Sequence, residues 1–594
     1  MSTTVPQGRA VLHRALPFLR PYRLRIVAAA CLIVVWLLGS LATPLLVRYA
    51  IDHGIDGQNR RALDVSALLL LVAVVATYGS YRAQLILLNQ VGEGFLRDLR
   101  LRVFAHLQAL SLGFYDRQQA GVLVSRMTSD VDALSNLVQT GLFTFITSVL
   151  LIASSAVVLV VLSPALAVAC LILIPPVIVA SVWFRRRAAP LYLVIRDRVG
   201  HVLAGMHEGL AGVRVLRAFG AEAAAIARFD RRTDDLFDAQ RDAVLISARY
   251  MPVIEFASIG ATAVVVGAGG LLVDHEIVTL GTVVAFVLYL SNLFQPIEQL
   301  SFLLQLVQNG KAGLAKLFGL LDARIEIEAR PGASELPESG AIVFEGVSFS
   351  YGSGLVLEQI NLIVPQGERL ALVGPTGAGK STLGKLVARF YDPTAGRVTY
   401  GGIDLRDASL GSLRARIVVV PQEGFLFTGS LLDNVRLGRA DATDADVAQA
   451  LDEVGALERF SRLPKGLATQ VSSRGVRFSA GERQLISLAR VALANPAVIV
   501  LDEATSNLDP ITEREVERAV DLLAGGRTLI TIAHRLSTAE HADRVVLVES
   551  GRIAEIGPHR DLVAGGGRYA GLYASWLGAN VPDPLAIDAS ILDP

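Results

Sequence analysis

Long uncharged stretches dominate the first half of the chain. No Asp, Glu, Lys or Arg occurs from Ile26 to Val47, and a second apolar run extends from Val65 to Tyr81 and, beyond Arg82, into Ala83–Gln90. A helix needs roughly 20 apolar residues to cross the hydrocarbon core of a bilayer, which is about 30 Å thick. The pattern predicts two membrane-spanning helices here.

The longest uncharged stretch lies between Asp132 and Arg185. It is about twice as long as one span requires, and Ser163-Pro164 supplies a break in the middle. Two further uncharged runs follow, Phe256–Val273 and Ile277–Ile297. The first half therefore predicts six membrane spans.

Two long polar segments, 82–132 and 185–255, separate these spans and are rich in arginine. By the positive-inside tendency we expect these segments and both termini to be cytoplasmic. Apolar residues recur in the first segment at the three- and four-residue spacing of one helix face. They are Leu96, Leu99, Val103, Leu107 and Leu110. The spacing predicts that the membrane helices continue into the cytoplasm and pair there.

Three charged residues, Arg82, Glu255 and Glu298, fall at the predicted cytoplasmic ends of spans. Such charges are compatible with an interfacial or helix-capping position. They are also compatible with a polar cavity at the depth of the inner leaflet. The sequence leaves both interpretations open.

Hydrophobicity drops after the sixth span. The segment Ala329–Gly340 is polar and rich in Pro and Gly, and beyond it short β-branched runs alternate with helical stretches, which is typical of an α/β nucleotide-binding domain. We expect a transmembrane domain with cytoplasmic extensions, a linker, an ATPase domain and a disordered tail. Their predicted bounds are 1–310, 311–340, 341–578 and 579–594.

Composition supports a membrane protein and gives no support for a nucleic-acid partner. The 594 residues are 52% hydrophobic, with a mean hydropathy of +0.49, while Lys+Arg and Asp+Glu both count 55. A balanced charge provides no electrostatic footprint for nucleic acid, so the expected surroundings are a lipid bilayer. The two cysteines lie in apolar runs and predict no disulfide framework.

A glycine-rich loop follows the apolar run 370–373 and precedes a helical stretch. The order strand, glycine-rich loop, helix is the context of a Walker A phosphate loop, whose N–H groups converge on a phosphate. We expect Lys380 to reach the β- and γ-phosphates and Ser381 to bind Mg²⁺. The predicted phosphate-binding residues are Gly374, Pro375, Thr376, Gly377, Ala378, Gly379, Lys380, Ser381 and Thr382. The chain is predicted to bind a nucleoside triphosphate.

A second apolar run, Ala497–Leu501, ends in Asp502 and Glu503. An acidic residue at the carboxyl end of a core strand faces the phosphate loop, where Asp502 is expected to hold Mg²⁺. Glu503 is expected to polarise the attacking water.

The second half, from residue 341 to about 575, resembles the ATPase domain of the ATP-binding cassette (ABC) transporters. The resemblance implies that Tyr351 stacks on adenine and that Gln422 contacts both Mg²⁺ and the coupling region. It also implies that Asp509, in the segment 506–509, belongs to the D-loop and that His534 is the switch histidine facing the γ-phosphate. The implied cofactors are ATP and Mg²⁺, and the implied catalytic residues are Glu503, His534 and Gln422.

The segment 478–482, Phe-Ser-Ala-Gly-Glu, resembles the family's signature, which caps the γ-phosphate bound to the opposite subunit. Ser479 and Gly481 are retained. Ala480 adds a methyl group where the backbone approaches phosphate, and Glu482 adds a negative charge near another anion. Upstream, the segment 472–475 lacks the glutamate usual in exporters. The signature that this chain lends to a partner is therefore predicted to be weakened.

The first half resembles the six-helix, exporter-type membrane domain of the same family. The segment 112–116, before 121–126, resembles its first coupling region, and 208–214 through Phe219-Gly220 resembles the second. The overall fold class is an all-α six-helix transmembrane domain followed by an α/β P-loop ATPase domain with an inserted helical subdomain. The resemblance implies a half-transporter that works as a pair of chains.

The predicted function is ATP-driven export of a hydrophobic or amphipathic substrate, such as a lipid or drug, across a bacterial inner membrane. The ATPase domain is expected to be cytoplasmic. The alternative is a gated channel or membrane regulator, which needs no hydrolytic carboxylate such as Glu503. Because the signature is weakened while the Walker motifs are complete, a heterodimer is favoured over a homodimer.

Overall fold

The computed structural model describes residue 14 and residues 17–118, 120–172, 174–352, 354–472, 475, 478–502, 510–533 and 535–580. The chain forms two compact units. The first comprises Met1–Gln108 and Ala120–Ala323, and the second comprises Ala109–Gln119 and Arg324–Pro594. The short segment Ala109–Gln119 therefore packs with the second unit although its neighbours along the chain belong to the first.

The regular secondary structure in the described part of the first unit is helical, and short π-helical turns lie between its α-helices at 50–55, 126–130 and 137–141. The α-helices up to residue 321, of which α3 belongs to the second unit, are α1 Arg23–Tyr49, α2 Arg60–Ala109, α3 Leu112–Arg117, α4 Ala120–Ser125, α5 Val131–Asn136, α6 Leu142–Leu162, α7 Pro164–Leu171, α8 Ile174–Ala211, α9 Val213–Ala218, α10 Glu222–Asp274 and α11 Leu280–Leu321.

Within the described residues, five helices are long and apolar enough to span a membrane, or up to six if the bent pair α7 and α8 forms one span. The six spans predicted from the sequence match the upper count. The predicted break between the third and fourth spans is also confirmed. Ser163 has an extended backbone (φ −157°, ψ 102°), and its hydroxyl accepts a hydrogen bond from the N–H of Leu166, which caps α7.

The core of the first unit lies between α6, α7, α8, α10 and α11. Tyr250, Phe286 and Tyr289 are fully buried there. Both tyrosine hydroxyls have partners, because Tyr289 donates to the carbonyl of Leu41 and Tyr250 lies 3.1 Å from the hydroxyl of Ser181. These bonds satisfy polar atoms that would be costly to bury alone.

The apolar stripe predicted in the first arginine-rich segment is confirmed. Its five members, Leu96, Leu99, Val103, Leu107 and Leu110, are each less than 8% exposed. The first four lie on α2, which runs without interruption from the apolar span to Ala109. The span therefore continues as a packed helix beyond its apolar portion.

The second unit is an α/β structure. Its strands are β1 Ile342–Ser350, β2 Leu355–Val364, β3 Arg369–Val373, β4 Ala395–Tyr400, β5 Ile403–Asp404, β6 Ile417–Val420, β7 Gly429–Ser430, β8 Gln470–Val471, β9 Val498–Asp502, β10 Thr528–Ile532, β11 Arg544–Glu549 and β12 Arg552–Gly557. Its helices after α3 are α12 Lys380–Val387, α13 Leu410–Arg416, α14 Leu431–Arg436, α15 Asp444–Glu453, α16 Leu457–Ser461, α17 Ala480–Ala494, α18 Pro510–Ala524, α19 Leu536–Glu540, α20 His559–Ala564 and α21 Arg568–Asn580.

Two larger sheets organise the second unit. A four-stranded antiparallel sheet has the order β2-β1-β4-β5, and a six-stranded sheet has the order β12-β11-β3-β10-β9-β6. In the six-stranded sheet all pairs are parallel except β11 with β12. Strands β3 and β9 are almost completely buried, as expected for a parallel sheet covered on both faces.

A helical insertion separates β6 from β9 in the sequence. It contains α14 to α17, and its core includes Val435, Leu451, Phe460 and Leu485, each no more than 2% exposed. The inserted helical subdomain predicted from the sequence is thus present.

Candidate functional site

The parallel sheet gathers the predicted nucleotide-binding residues at one edge. In parallel strands the carboxyl ends meet at the same edge of the sheet. Strands β3, β10, β9 and β6 are consecutive neighbours, and Ile532 and Val420 at the ends of β10 and β6 pair with Asp502 and Leu501 of β9. The phosphate loop follows the end of β3, Gln422 follows the end of β6, and Asp502 is the last residue of β9.

The phosphate loop connects β3 to α12 through three glycines with left-handed or otherwise positive φ. Gly374, Gly377 and Gly379 have φ of 141°, 83° and 107°. A Cβ at Gly374 would lie 2.1 Å from the carbonyl oxygen of Val548, so this position excludes any side chain. The glycines let the loop curl closely over the end of the sheet.

Lys380 begins α12 and is only 4% exposed. Its Nζ donates to the carbonyl oxygens of Gly374 at 2.8 Å and Pro375 at 3.0 Å. These two bonds hold the ammonium group inside the curve of the loop. An ammonium in this position adds positive charge beside the N–H groups at the start of the helix, which already favour an anion.

Ser381 and Asp502 are neighbours across the loop and the sheet. The Ser381 hydroxyl donates to Oδ1 of Asp502 at 3.4 Å. A hydroxyl oxygen and a carboxylate oxygen are the hard donors that Mg²⁺ prefers, and Mg²⁺ takes only one or two protein ligands beside phosphate oxygens and water. The pair predicted from the sequence as metal ligands therefore fits the ion.

Of the remaining residues predicted at this edge, Gln422 is the one that the structure describes. Gln422 is exposed and comes two positions after β6. Glu503, Asp509 and His534 lie outside the described residues. Glu503 directly follows β9 in the sequence, and His534 comes two positions after β10.

Tyr351, predicted to stack on adenine, is 41% exposed and lies beside the helix that follows the loop. Its hydroxyl is 3.2 Å from the hydroxyl of Thr382. Its ring makes edge contacts with Phe349 and Tyr391, at centroid distances of 4.7 and 5.2 Å. The aromatic ring is therefore fixed by its neighbours, with one part left accessible to a flat ligand.

The signature segment opens α17, with Ser479 as its N-cap residue. The Ser479 hydroxyl accepts from the N–H of Glu482 at 3.1 Å, and a carboxylate oxygen of Glu482 accepts from the N–H of Ser479 at 2.8 Å. These reciprocal bonds form a capping box. Glu482, interpreted from the sequence only as an unfavourable charge, therefore also stabilises its own helix. The spacing Ser-x-x-Glu is a sequence signal that would have revealed this.

Comparison with known proteins agrees with this geometry. The model of the ABC transporter transmembrane region matches residues 26–297, and that of the ABC transporter matches residues 357–506. The uncharacterized ABC transporter ATP-binding protein YknV of Bacillus subtilis is 36% identical over 96% of this chain and 94% of its own length. The chain belongs to the ABC transporter family.

Further relatives of this ABC transporter include exporters. The ATP-dependent lipid A-core flippase of Desulfotalea psychrophila is 34% identical over 95% of this chain and 98% of its own length. The multidrug efflux ATP-binding/permease protein Rv0194 of Mycobacterium tuberculosis is 36% identical over 96% of this chain, which covers 48% of that relative. The solved structure of a bacterial Atm1-family ABC exporter with ATP bound matches with a TM-score of 0.78 and 28% identity, over 94% of this chain and 99% of that one.

The family resemblance, the fold class and the assignment as an ATP-driven transporter with ATPase activity are thereby confirmed. The ABC transporter is a half-transporter, a membrane domain fused to one ATP-binding domain, and this architecture implies a dimer in a lipid bilayer.

One contact of this ABC transporter was not predicted from the sequence. The hydroxyl of Tyr391 donates to a carboxylate oxygen of Asp116, which lies on α3, the short helix in the first coupling region. Burial and this hydrogen bond raise the pKa of Tyr391, so its hydroxyl remains a donor at neutral pH. The Lys385 ammonium lies 3.8 Å from the same carboxylate. Residues 275 positions apart along the chain give no local pattern that would reveal such a pair.

A second pair of contacts anchors the ends of α3. Arg117 donates to one carboxylate oxygen of Glu326 at 2.7 Å, and the Ser111 hydroxyl donates to the other at 3.1 Å. The Arg117 hydrogen bond lowers the pKa of Glu326, so this carboxylate stays ionised well below neutral pH.

The charged residues at the ends of the predicted spans lie in different surroundings. Glu255 lines a cavity of about 530 Å³ between α10 and α11, together with Ser258, Ser291 and Gln295. This supports the polar-cavity interpretation for Glu255. Arg82 is exposed on α2, and the side chain of Glu298 lies outside the described ones.

Proposed function

We propose that this ABC transporter is one half of an exporter that uses ATP to move hydrophobic or amphipathic molecules, such as lipids or drugs, across a bacterial inner membrane. We propose that its ATPase unit is cytoplasmic. The observation that carries the proposal is the phosphate loop, in which Lys380 is held inside the loop and Ser381 meets Asp502. The described residues of the same chain include five helices, or up to six, that are long and apolar enough to span a membrane.

In this proposal Lys380 and the N–H groups at the start of α12 bind the β- and γ-phosphates. Ser381, Asp502 and Gln422 hold Mg²⁺, which neutralises phosphate charge. Glu503 positions and polarises the attacking water, and His534 contacts the γ-phosphate. Tyr351 stacks on the adenine, a contact worth roughly 1–3 kcal/mol for a base on an aromatic ring.

Two relatives support the direction and the cargo. One is named a multidrug efflux protein and another a lipid A-core flippase, and both match nearly the whole of this chain. Both names describe transport of the molecule itself rather than gating of an ion flow. They favour an exporter over a gated channel or membrane regulator.

We further propose that the second chain is a different half-transporter, with a second copy of this chain as the alternative. Ala480 adds a methyl group to the signature, and the glutamate usual upstream is absent from the segment 472–475. Because Glu482 stabilises its own helix through the capping box, its charge supports a heterodimer less strongly than Ala480 does. In the second coupling region, Val215 on α9 is 60% exposed and Phe219 directly after α9 is 82% exposed, which supports their covering by a second chain of either kind.

The test uses inverted vesicles with the purified chain inserted in their membrane, either alone or together with a candidate partner. ATP should drive accumulation of a labelled lipid or drug against its gradient, and Glu503→Gln should preserve ATP binding while lowering hydrolysis and uptake by about 100-fold or more. Glu453→Gln, an exposed carboxylate on α15, is the matched control and should behave like the parent chain. Downhill flux that ATP gates without hydrolysis would instead establish the channel.

A further inference from the structure

The first unit contains a cavity of about 720 Å³ between α1, α2, α6 and α11. Its volume lies within the range of small-molecule sites, about 300–1,000 Å³. Among the described residues that line it there is no Asp, Glu, Lys, Arg or His. The described lining is therefore polar without being charged.

Hydrogen-bonding side chains form one wall of this cavity. Thr144, Thr147 and Ser148 come from α6, and Gln295 and Gln299 come from α11. Three- and four-residue spacing places the members of each set on one face of their helix. Two helices therefore present hydroxyl and amide groups to the same space.

The rest of the lining is aromatic and aliphatic. It includes Trp36 and Tyr81 from α1 and α2, Leu151 from α6, and Leu303 and Leu306 from α11. An amphipathic molecule would match both sets of side chains at once, with its polar group on the amides and hydroxyls and its apolar part on these side chains.

The polar wall retains capacity for a ligand. The Ser148 hydroxyl lies 3.4 Å from Oε1 of Gln299, a long hydrogen bond. A glutamine amide offers two donor and two acceptor positions, so a ligand can bond to Gln299 without breaking that contact. Thr147 bonds to the carbonyl of Phe143 in its own helix at 2.9 Å, and its hydroxyl oxygen can still accept.

The absence of charge in this lining selects against ions. Moving a charged head group from water into this site would cost its solvation without supplying a counter-charge among the described lining residues. A hydroxyl, ether or amide group exchanges its water hydrogen bonds for those of the wall at a much smaller cost.

We propose that this cavity binds the uncharged, hydroxyl-bearing head of an amphipathic substrate, such as a glycolipid. The inference rests on the proposed export function and specifies its substrate class. A cationic amphiphile is the competing class, and its site would be the smaller cavity that holds Glu255. The two cavities share Gln295 but differ in charge, so variants can separate them.

The binding experiment uses the chain in lipid nanodiscs and the fluorescence of Trp36, with Trp183 and Trp576 replaced by Phe. The three probes share one nitrobenzoxadiazole-labelled tail and carry a glucosyl, a trimethylammonium or a phosphate head. The glucosyl probe should quench Trp36 at a concentration at least tenfold lower than either charged probe. Thr144→Val and Gln299→Leu should each weaken glucosyl binding by about tenfold or more. Thr262→Val, which removes a hydroxyl bonded to its own helix outside these linings, and Glu255→Gln should leave it unchanged.

ATP-driven translocation of the same probes in proteoliposomes distinguishes the two proposals. Preferential movement of the glucosyl probe, lost in Gln299→Leu, supports the inference. Preferential movement of the cationic probe, lost in Glu255→Gln, overturns it and leaves the export function intact, and preference for the phosphate probe does the same. Hydrolysis without movement of any probe overturns the export function and the inference that rests on it.

Discussion

At the scale of single residues, the ammonium group of Lys380 donates hydrogen bonds to two carbonyl oxygens of its own loop. We expect Lys380→Ala to lower ATP affinity by more than about tenfold, because hydrogen bonds from a charged donor contribute roughly 1.5–3 kcal/mol. Direct nucleotide binding to the purified chain measures this. Lys465→Ala removes an exposed lysine from the same unit and should bind ATP normally. Equal affinity in the two variants would contradict the assigned role.

The glycines of the same loop show which features a local sequence pattern can predict and which it cannot. Their spacing predicted the loop correctly, because the strand before it and the helix after it supply the context. The reason that residue 374 has no side chain is the carbonyl of Val548, 174 positions away, and no local pattern reveals it. Asp502 was likewise predicted from the apolar run before it, and its hydrogen bond with Ser381 agrees with the shared role.

At the scale of elements, α17 owes its start to both members of its capping box. We expect Glu482→Ala to destabilise the second unit by roughly 0.3–1.5 kcal/mol, because the Ser479 N–H loses its acceptor. Glu482→Gln keeps an acceptor oxygen and should melt close to the parent temperature. Thermal unfolding of the purified chain compares the two. A Gln variant as unstable as the Ala variant would show that the charge, rather than the cap, stabilises the helix.

The Gln variant also tests the signature. If the Glu482 carboxylate repels the phosphate bound to the partner chain, its neutralisation should lower the ATP concentration needed for half-maximal hydrolysis. ATPase titrations of the assembled dimer measure this. An unchanged or higher concentration would show that the capping box already keeps the charge from affecting the phosphate.

The buried Tyr391 hydroxyl holds helix α3 at Asp116, in addition to the contacts that Glu326 makes at its ends. Tyr391→Phe keeps the ring against Tyr351 and removes the donor to Asp116, so we expect a loss of roughly 1.5–3 kcal/mol of stability and weaker stimulation of ATPase activity by substrate. Tyr400→Phe removes a longer, 3.4 Å hydrogen bond to the carbonyl of Glu338 and serves as the control. Comparable loss of substrate stimulation in both variants would show that the Tyr391 hydroxyl has no special part in coupling.

Some features of the helices could be predicted from the sequence, and others could not. Absence of charge over a span is a local property, so the spans and the break at Ser163 could be predicted. Three- and four-residue spacing likewise predicted the buried stripe, four of whose five members lie on α2. The packing of Ala109–Gln119 with the second unit could not be predicted, because its partners Glu326 and Tyr391 lie more than 200 residues away.

At the scale of the whole molecule, the proposed heterodimer predicts how the ATPase activity depends on the partner chain. We expect this chain alone to hydrolyse ATP slowly and to gain activity when it is expressed with a half-transporter whose signature is intact. The physical reason is that in the proposed dimer each nucleotide needs the signature of the other chain, and we expect the methyl group of Ala480 to obstruct the close approach of this one. ATPase rates of the chain alone and with candidate partners provide the measurement. Full substrate-stimulated turnover by the chain alone would establish a homodimer.

The assignment of α3 to the second unit has a consequence for biosynthesis. Asp116 is made 275 residues before Tyr391. At 5–20 residues per second, the ribosome takes about 14–55 s to produce the partner side chain. During that interval α2 and α4 are complete, while α3 between them lacks its contact with Tyr391. A nascent chain therefore passes through a stage in which α3 is accessible to chaperones and proteases, and a truncated product ending before Tyr391 would lack this contact permanently.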